Sequence, residues 1–318
     1  MSGQDAHFSQ VAAQSQYQNP AQVMDLSIYQ NRKAKIALQY RDQWRNVSNP
    51  AFRTILIEGQ FQLYSSYLDN WYLGFTLLDD QSNDGIYTNN ALGLNLSYSR
   101  KLSLSRNAFH QISFGSTFRY HRTNLNNSKL WFGRQYDIAN LEVNMNIDNG
   151  EMSFLSQSSF LSLGLGGSWL YNFEKGSNVS ASIGMMHLNG PSLGMLMDDA
   201  ALSKRIVSHV SLLKKTGRFF YQGGFAQLII QSPWQQLTTG YKIRYSLENE
   251  VSINASLAAR FTKNLSSTQI ESLILGFGLE ANNWKAQLSY DLNLTALSEQ
   301  ANGTRAFELK LEYYFLNN

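Results

Sequence analysis

Apolar and polar residues alternate with a period of two along most of this chain, and the alternation restarts after each cluster of turn residues. In 88–101, Leu92, Leu94, Leu96 and Tyr98 alternate with Gly93, Asn95, Ser97 and Ser99. In 109–122, Ile112, Phe114, Phe118 and Tyr120 face Gln111, Ser113, Thr117, Arg119 and His121. In 283–294, Trp284, Ala286, Leu288, Tyr290 and Leu292 alternate with Lys285, Gln287, Ser289, Asp291 and Asn293. The last run, 304–316, sets Phe307, Leu309, Leu311, Tyr313 and Phe315 against Glu308, Lys310, Glu312 and Tyr314. Successive strand side chains point to opposite faces, so each run makes one apolar and one polar face. The pattern predicts strands at 33–45, 53–65, 70–79, 90–101, 109–122, 158–173, 177–187, 204–215, 217–231, 234–247, 249–262, 268–281, 283–294 and 304–316. That is about fourteen strands, most of about 10–15 residues, long enough to cross a bilayer at a tilt.

The connections between these runs differ by parity. Long polar gaps fall at 46–52, 80–89, 123–157, 188–203 and 295–303, and tight turns at Leu68-Asp69, Lys175-Gly176, Thr216-Gly217, Glu248-Asn249 and Asn282-Asn283. Ser232-Pro233 is short where a long gap is expected, and 102–108 is longer than a tight turn. Long loops gathered on one end and tight turns on the other are the pattern of transmembrane barrels, and a soluble sandwich has no reason to adopt it.

Charge sharpens this reading. Charged residues make up 15% of the chain, against roughly 25% in a typical soluble domain, while 13% are aromatic. No window offers the ~18–20 apolar residues of a spanning helix, so a membrane reading requires a closed barrel. Arg41, Arg119, Lys242, Arg244, Arg260, Lys285, Asp291, Glu308 and Glu312 all fall on the polar parity of their runs. A mid-depth Arg or Lys facing lipid costs about 2–4 kcal/mol, so that face is predicted to line the lumen. Tyr40, Trp44, Trp71, Tyr72, Tyr313 and Phe315 cluster near strand ends, as an interfacial girdle requires. A net charge of +3 with scattered cations gives no basis for nucleic-acid binding.

The expected fold is all-β: one antiparallel up-and-down transmembrane barrel over 1–318, its wall at 33–316. Residues 4–30, rich in Gln, Ala and Ser, are expected to form a short helix or plug in the lumen. Met1-Ser2-Gly3 leads into a polar stretch with no basic start or apolar run. An exported barrel then implies a leader removed upstream of this numbering, with Gln4 near the mature start.

Candidate chemistry is sparse. His7, His110, His121, His187 and His209 show no metal-site spacing, and no metal or cofactor is expected. Gly164, Gly166 and Gly167 lie in an apolar strand with no following helix, which fits relief of crowding better than a phosphate loop. Asp79-Asp80 and Asp198-Asp199 read as solvated pairs in outside loops, and no nucleophile sits beside a base, so no enzyme is expected. Two loops differ. Segment 123–157 carries Trp131, Phe132, Arg134 and Tyr136, and 188–203 carries Leu193, Met195, Leu196 and Met197. Aromatic, Met and Arg residues are enriched at interface centres, so these residues either bind a partner or fold inward to cap the mouth.

Several words resemble one family in order along the chain. They are Gln4-Asp5-Ala6-His7-Phe8-Ser9-Gln10, Asn19-Pro20-Ala21, Tyr40-Arg41-Asp42-Gln43-Trp44 and Gly184-Met185-Met186-His187-Leu188 before Pro191. Tyr290-Asp291 and Phe307-Glu308-Leu309-Lys310-Leu311-Glu312-Tyr313-Tyr314-Phe315 complete the set. This is similar to the PorP/SprF family of Bacteroidota, although Leu316-Asn317-Asn318 follow the terminal aromatic. The resemblance implies an outer-membrane component of the type IX secretion system, paired with large surface adhesins including those of gliding motility, on a barrel related to FadL. It implies that the barrel anchors the C-terminal domain of a secreted adhesin or other cargo, amid outer-membrane lipid and periplasmic secretion components. Two rivals stand beside it. A FadL-like channel for hydrophobic small molecules needs an apolar lumen, which the polar parity opposes. A scaffold to periplasmic machinery would act through the turns and the Lys214-Lys215 end.

Overall fold

A computed structural model describes residues 5–11, 15–24, 32–45, 52–82, 85–104, 108–126, 130–138, 140–144, 146–147, 157–174, 176–193, 201–247, 251–263, 268–295 and 304–316. The wall is built from β1 (Arg32–Gln43), β2 (Phe52–Ser65), β3 (Asp69–Ser82), β4 (Tyr87–Leu104), β5 (Phe109–Leu125), β8 (Gln157–Glu174) and β9 (Ser177–Met186). It continues through β10 (Arg205–Lys215), β11 (Phe220–Gln231), β12 (Trp234–Ser246), β13 (Ser252–Lys263), β14 (Thr268–Glu280), β15 (Trp284–Asn293) and β16 (Arg305–Leu316). Two short strands, β6 (Tyr136–Asp137) and β7 (Glu142–Val143), form a separate hairpin between β5 and β8. Each wall strand pairs antiparallel with its chain neighbours, and β1 closes the ring on β16. Closure leaves no edge, so the ladder itself satisfies the wall's backbone groups in lipid.

The predicted faces hold. Leu92, Leu94 and Leu96 of β4, Phe114, Phe118 and Tyr120 of β5 and Leu161, Leu163 and Leu165 of β8 are all exposed. Their inward neighbours Asn95, Ser97, Ser99, Arg119, His121 and Ser162 are buried. The outward residues form a continuous apolar band around the wall, far larger than the patches soluble monomers tolerate, and lipid is the solvent that accepts it. Trp71, Tyr313 and Phe315 face outward near the turn end. Tyr72 does not join this girdle: it follows Trp71 in the same strand, therefore points inward, and is fully buried.

Connections after β1, β5, β9 and β15 carry 44–51, 126–156, 187–204 and 294–304, all on one end, hereafter the loop end. The opposite end has the turns 66–68, 105–108, 175–176, 216–219, 247–251 and 281–283. The expected long gap at 80–89 shrinks to 83–86, because β3 and β4 keep pairing out to Ser82↔Tyr87. Asp79 and Asp80 accordingly lie in β3 instead of a loop, Asp80 accepting from Thr54 Oγ1 at 2.6 Å. Asp198-Asp199 lie outside the described residues.

Candidate functional site

Residues 5–11 and 15–24 run through the lumen as turns, and no helix forms among the described residues there. With Gln, Asn and Pro closing turns at Ser15–Asn19 and Asn19–Gln22, this segment satisfies its backbone through the barrel wall instead of through a helical ladder.

Ser9 sits at the centre of a buried charge cluster. Its N–H donates to Glu308 Oε2 at 2.7 Å, and its hydroxyl donates to Asp291 Oδ2 at 2.5 Å. The same hydroxyl accepts from Arg41 and, at 2.5 Å, from Arg260. Arg41 bridges Glu308 at 3.0 Å and Asp291 at 3.2 Å, while Arg260 meets Asp291 at 3.0 Å. Arg260 also reaches the half-buried Glu271 at 3.5 Å, so both buried guanidiniums are paired with carboxylates, which is the condition under which burying them is tolerable.

Asp5 makes a second anchor. His187 Nε2 lies 2.8 Å from Asp5 Oδ2, His187 Nδ1 lies 2.9 Å from Ser162 Oγ, and Gln231 Nε2 donates to the same carboxylate at 3.1 Å. Burial alone would raise the Asp5 carboxyl, but the pull of His187 and Arg205 outweighs it and holds the group well below the usual carboxylate range. His187 reaches this place from a left-handed backbone, φ 58°, where β9 ends. Serine, histidine and aspartate in a hydrogen-bonded line also serve hydrolases, but here Ser162 is only 2% exposed and the line ends on the terminal segment.

Lower in the lumen the segment lies against glycines. A Cβ on Gly115 would fall 2.2 Å from Pro20 O, one on Gly166 2.0 Å from Asn19 Oδ1, and one on Gly184 2.4 Å from Gln18 O. Asn19 Nδ2 donates to Gly167 O at 3.2 Å, and Ser97 Oγ donates to Pro20 O at 2.7 Å. Arg119 donates to Tyr17 O at 2.8 Å, and Glu58 accepts from Tyr17 N at 2.8 Å. The glycines thus relieve crowding against a peptide, a purpose that the strand pattern alone did not reveal.

At the loop end, Trp131 is 57% exposed and its ring centroid lies 6.4 Å from that of Tyr136. Arg134 is exposed and Phe132 half-buried. Gln135 is buried and organises the loop: its side chain accepts from Phe132 N at 3.0 Å and donates to Ile147 O at 3.0 Å, and its carbonyl accepts from Asn144 N at 2.8 Å. The β6–β7 hairpin adds Ile138 and Leu141, 80% and 74% exposed, which the sequence reading missed; the apolar residues at alternate positions around Asp137 were the available signal. Leu193 is half-buried beside the Ser192–Ala201 bridge, whereas Met195 and Met197 lie outside the described residues. The connections holding Trp131 and Leu193 spring from the paired strands β8 and β9 and are neighbours on the rim. Among the described residues no group of His, Asp or Glu is placed to hold a metal.

Comparison with known proteins gives the barrel relatives. No curated protein matches the chain in sequence. Among solved structures, a Pseudomonas aeruginosa FadL homologue is 10% identical over 93% of this chain and 92% of its own, with a TM-score of 0.50. The deltaS2 mutant of the TodX monoaromatic hydrocarbon channel (8% identity, 94% and 93% coverage, TM-score 0.51) and the CymD monoaromatic hydrocarbon channel (8%, 94% and 92%, 0.52) are also similar. At these identities the likeness is one of fold, a FadL-like outer-membrane barrel. The family described as type IX secretion system membrane protein PorP/SprF matches residues 1–313. Arg41, Asp291, Glu308, His187 and Asn19, which hold the luminal segment, all lie within the matched residues, and this chain belongs to the PorP/SprF family.

Proposed function

We propose that the barrel binds a secreted surface protein, such as an adhesin, and anchors it by its C-terminal domain against the loop end. The observation that carries this reading is the loop-end surface of Trp131, Tyr136, Ile138 and Leu141, all exposed on a hairpin braced by buried Gln135. A braced apolar surface standing in water gains most by burial against a partner, and aromatic residues dominate such energetics. Leu193 on the adjacent connection extends the surface, and Arg134 supplies a charged contact at its edge. Membership of a secretion-system family supplies the class of partner. The mechanism is display: no bond is made or broken, and the barrel holds its cargo in the membrane. A small-molecule channel draws no support from a lumen lined by Arg41, Arg260, Asp291 and Glu308 and threaded by the chain's own N-terminal segment.

The test is affinity isolation from the native membrane in mild detergent with identification of retained proteins. Trp131→Asp combined with Ile138→Asp is expected to release a large surface protein while the barrel still folds. Retention of that protein by the double variant sinks the reading.

A further inference from the structure

The lipid-facing wall carries a hollow of ≈ 620 Å³ between β3 and β9. Two adjacent outward rows of the ladder frame it. The row nearer the turn end runs Trp71, Tyr98, Phe114, Gly167 and Ile183 from strand to strand. The next runs Leu96, Ser116, Leu165 and Met185. Side chains in both rows are large and mostly apolar except at two diagonal neighbours, Gly167 and Ser116, and the hollow is the space these leave.

Neither crowding nor backbone conformation requires glycine at 167. A Cβ there would meet nothing within 4 Å, and its φ lies outside the left-handed region. Gly166 differs, because a Cβ on it would press on Asn19 inside the lumen. What Gly167 contributes is therefore the empty space on the outer face.

A charged pair stands at the turn-side edge of this hollow. The Tyr98 hydroxyl donates to Asp69, and Arg100, directly opposite Asp69 in the ladder, meets the same carboxylate at 3.6 Å. Half of the Arg100 side chain remains exposed. The pair lies at the level of Trp169, within the aromatic belt of the turn end. Headgroups lie at the depth of such a belt, and acyl chains lie beyond it.

We propose that the hollow and the Arg100–Asp69 pair form a binding site for one phospholipid of the turn-side leaflet with a zwitterionic amine headgroup. An acyl chain crosses Gly167 and Ser116 between Phe114 and Leu165, its phosphate meets Arg100 and its ammonium meets Asp69. A chain lying on a convex wall is touched on one side only, whereas one seated in a hollow gains dispersion contacts on its flanks as well. Guanidinium suits phosphate, and the adjacent carboxylate selects for a headgroup that also carries a cation. The site is independent of the loop-end surface.

The test strips the full chain of lipid in detergent, titrates it with palmitoyl-oleoyl phosphatidylethanolamine and counts bound lipid by native mass spectrometry. Folding of each variant is checked by heat-modifiable gel migration. The parent chain is expected to hold one lipid about five-fold or more tighter than any further one. Gly167→Leu/Ser116→Leu, which fills the hollow, should weaken that lipid about five-fold or more, and Arg100→Gln about three-fold or more. Leu275→Ala on another part of the wall should change it less than about two-fold, and phosphatidylglycerol should bind about three-fold or more weakly. If the double variant fails to fold, Gly167→Leu decides, because its side chain enters open space. The proposal is overturned if no lipid is held preferentially, if filling the hollow leaves retention unchanged, if Leu275→Ala weakens it equally, or if phosphatidylglycerol binds as tightly. It is also overturned if filling the hollow releases a second copy or another protein while lipid retention stays the same, marking a protein contact.

Discussion

On the loop side of the lumen, Arg41 and Arg260 meet Asp291 and Glu308 within 3.2 Å, and Ser9 of the N-terminal segment fills the space between them. On the turn side Lys242 and Lys285 line a shared cavity, Lys242 donating to Ser211 at 2.6 Å and Lys285 standing opposite Glu280 and Glu312 in the ladder. β12 and β15 supply the two lysines, and β15 also supplies Asp291, so one strand contributes to both halves. A polar lumen can lock its charges in direct ion pairs around a buried segment or spread them around a cavity. Burial separates the two conditions, because a fully buried charge is tolerated only when paired and hydrogen-bonded.

The comparison breaks most sharply at the paired side. Asp291→Ala strips the partner shared by Arg41 and Arg260 and should destabilise the barrel by about 3–5 kcal/mol, measured by urea unfolding in detergent. A change under about 1 kcal/mol would mean that the loop-side charges are solvated and not mutually held. Next in size, Gly115→Ala drives a Cβ into the Pro20 carbonyl and should cost about 1–3 kcal/mol through overpacking. It should also expose the N-terminal segment to added protease, whereas unchanged protection would show that the segment is not seated there.

Asp5 gives a comparable effect with a pH signature. Its folded-state carboxyl is held below its unfolded value, so the stability it contributes is present above about pH 4 and is lost as pH falls through the folded value. Asp5→Asn should cost about 1.5–3 kcal/mol at pH 7. The gap between variant and parent should close only in strong acid; closure already at pH 5–6 contradicts a depressed carboxyl. The smallest effect belongs to the cavity side, where Lys285→Ala should shift stability by no more than about 1 kcal/mol, since half-buried Lys285 faces Glu280 and Glu312 across the ladder without a direct ion pair among the described residues. A loss as large as that of Asp291→Ala would erase the distinction between the two halves.

Much of the wall was legible beforehand. The fourteen predicted runs coincide with the fourteen wall strands, most ends agreeing within about three residues, because the period-two pattern is imposed directly by lipid outside and polar lumen inside. The errors have local causes. Asp79 and Asp80 looked like loop residues, since carboxylates rarely extend a strand, yet cross-strand partners Thr54 and Asn90 hold them there. Tyr72 looked like girdle by composition, and parity with Trp71 turns it inward.

The segment before β1 was legible only as polar and aperiodic. Its local turns make no ladder of their own, and most of the side-chain partners that place them are remote: Ser9 and Glu308 are 299 positions apart. Likewise the recognisable words Tyr40–Trp44, Gly184–Leu188 and Phe307–Phe315 gave family membership without saying what their polar members do. Ring closure between β1 and β16 places Arg41 opposite Glu308, and only that closure brings the words together on one peptide.

The sequence by itself determined which residues face lipid, how many strands cross, and on which end the long connections lie, because those follow from alternation and spacing along a single strand or gap. The tertiary structure alone decided that the loop-side charges neutralise one another around Ser9, that the glycines of β5, β8 and β9 make room for Asn19 and Pro20, and that Lys242 and Lys285 line one cavity. Those facts depend on which strands meet across the lumen, a distance the periodicity of any one strand cannot encode.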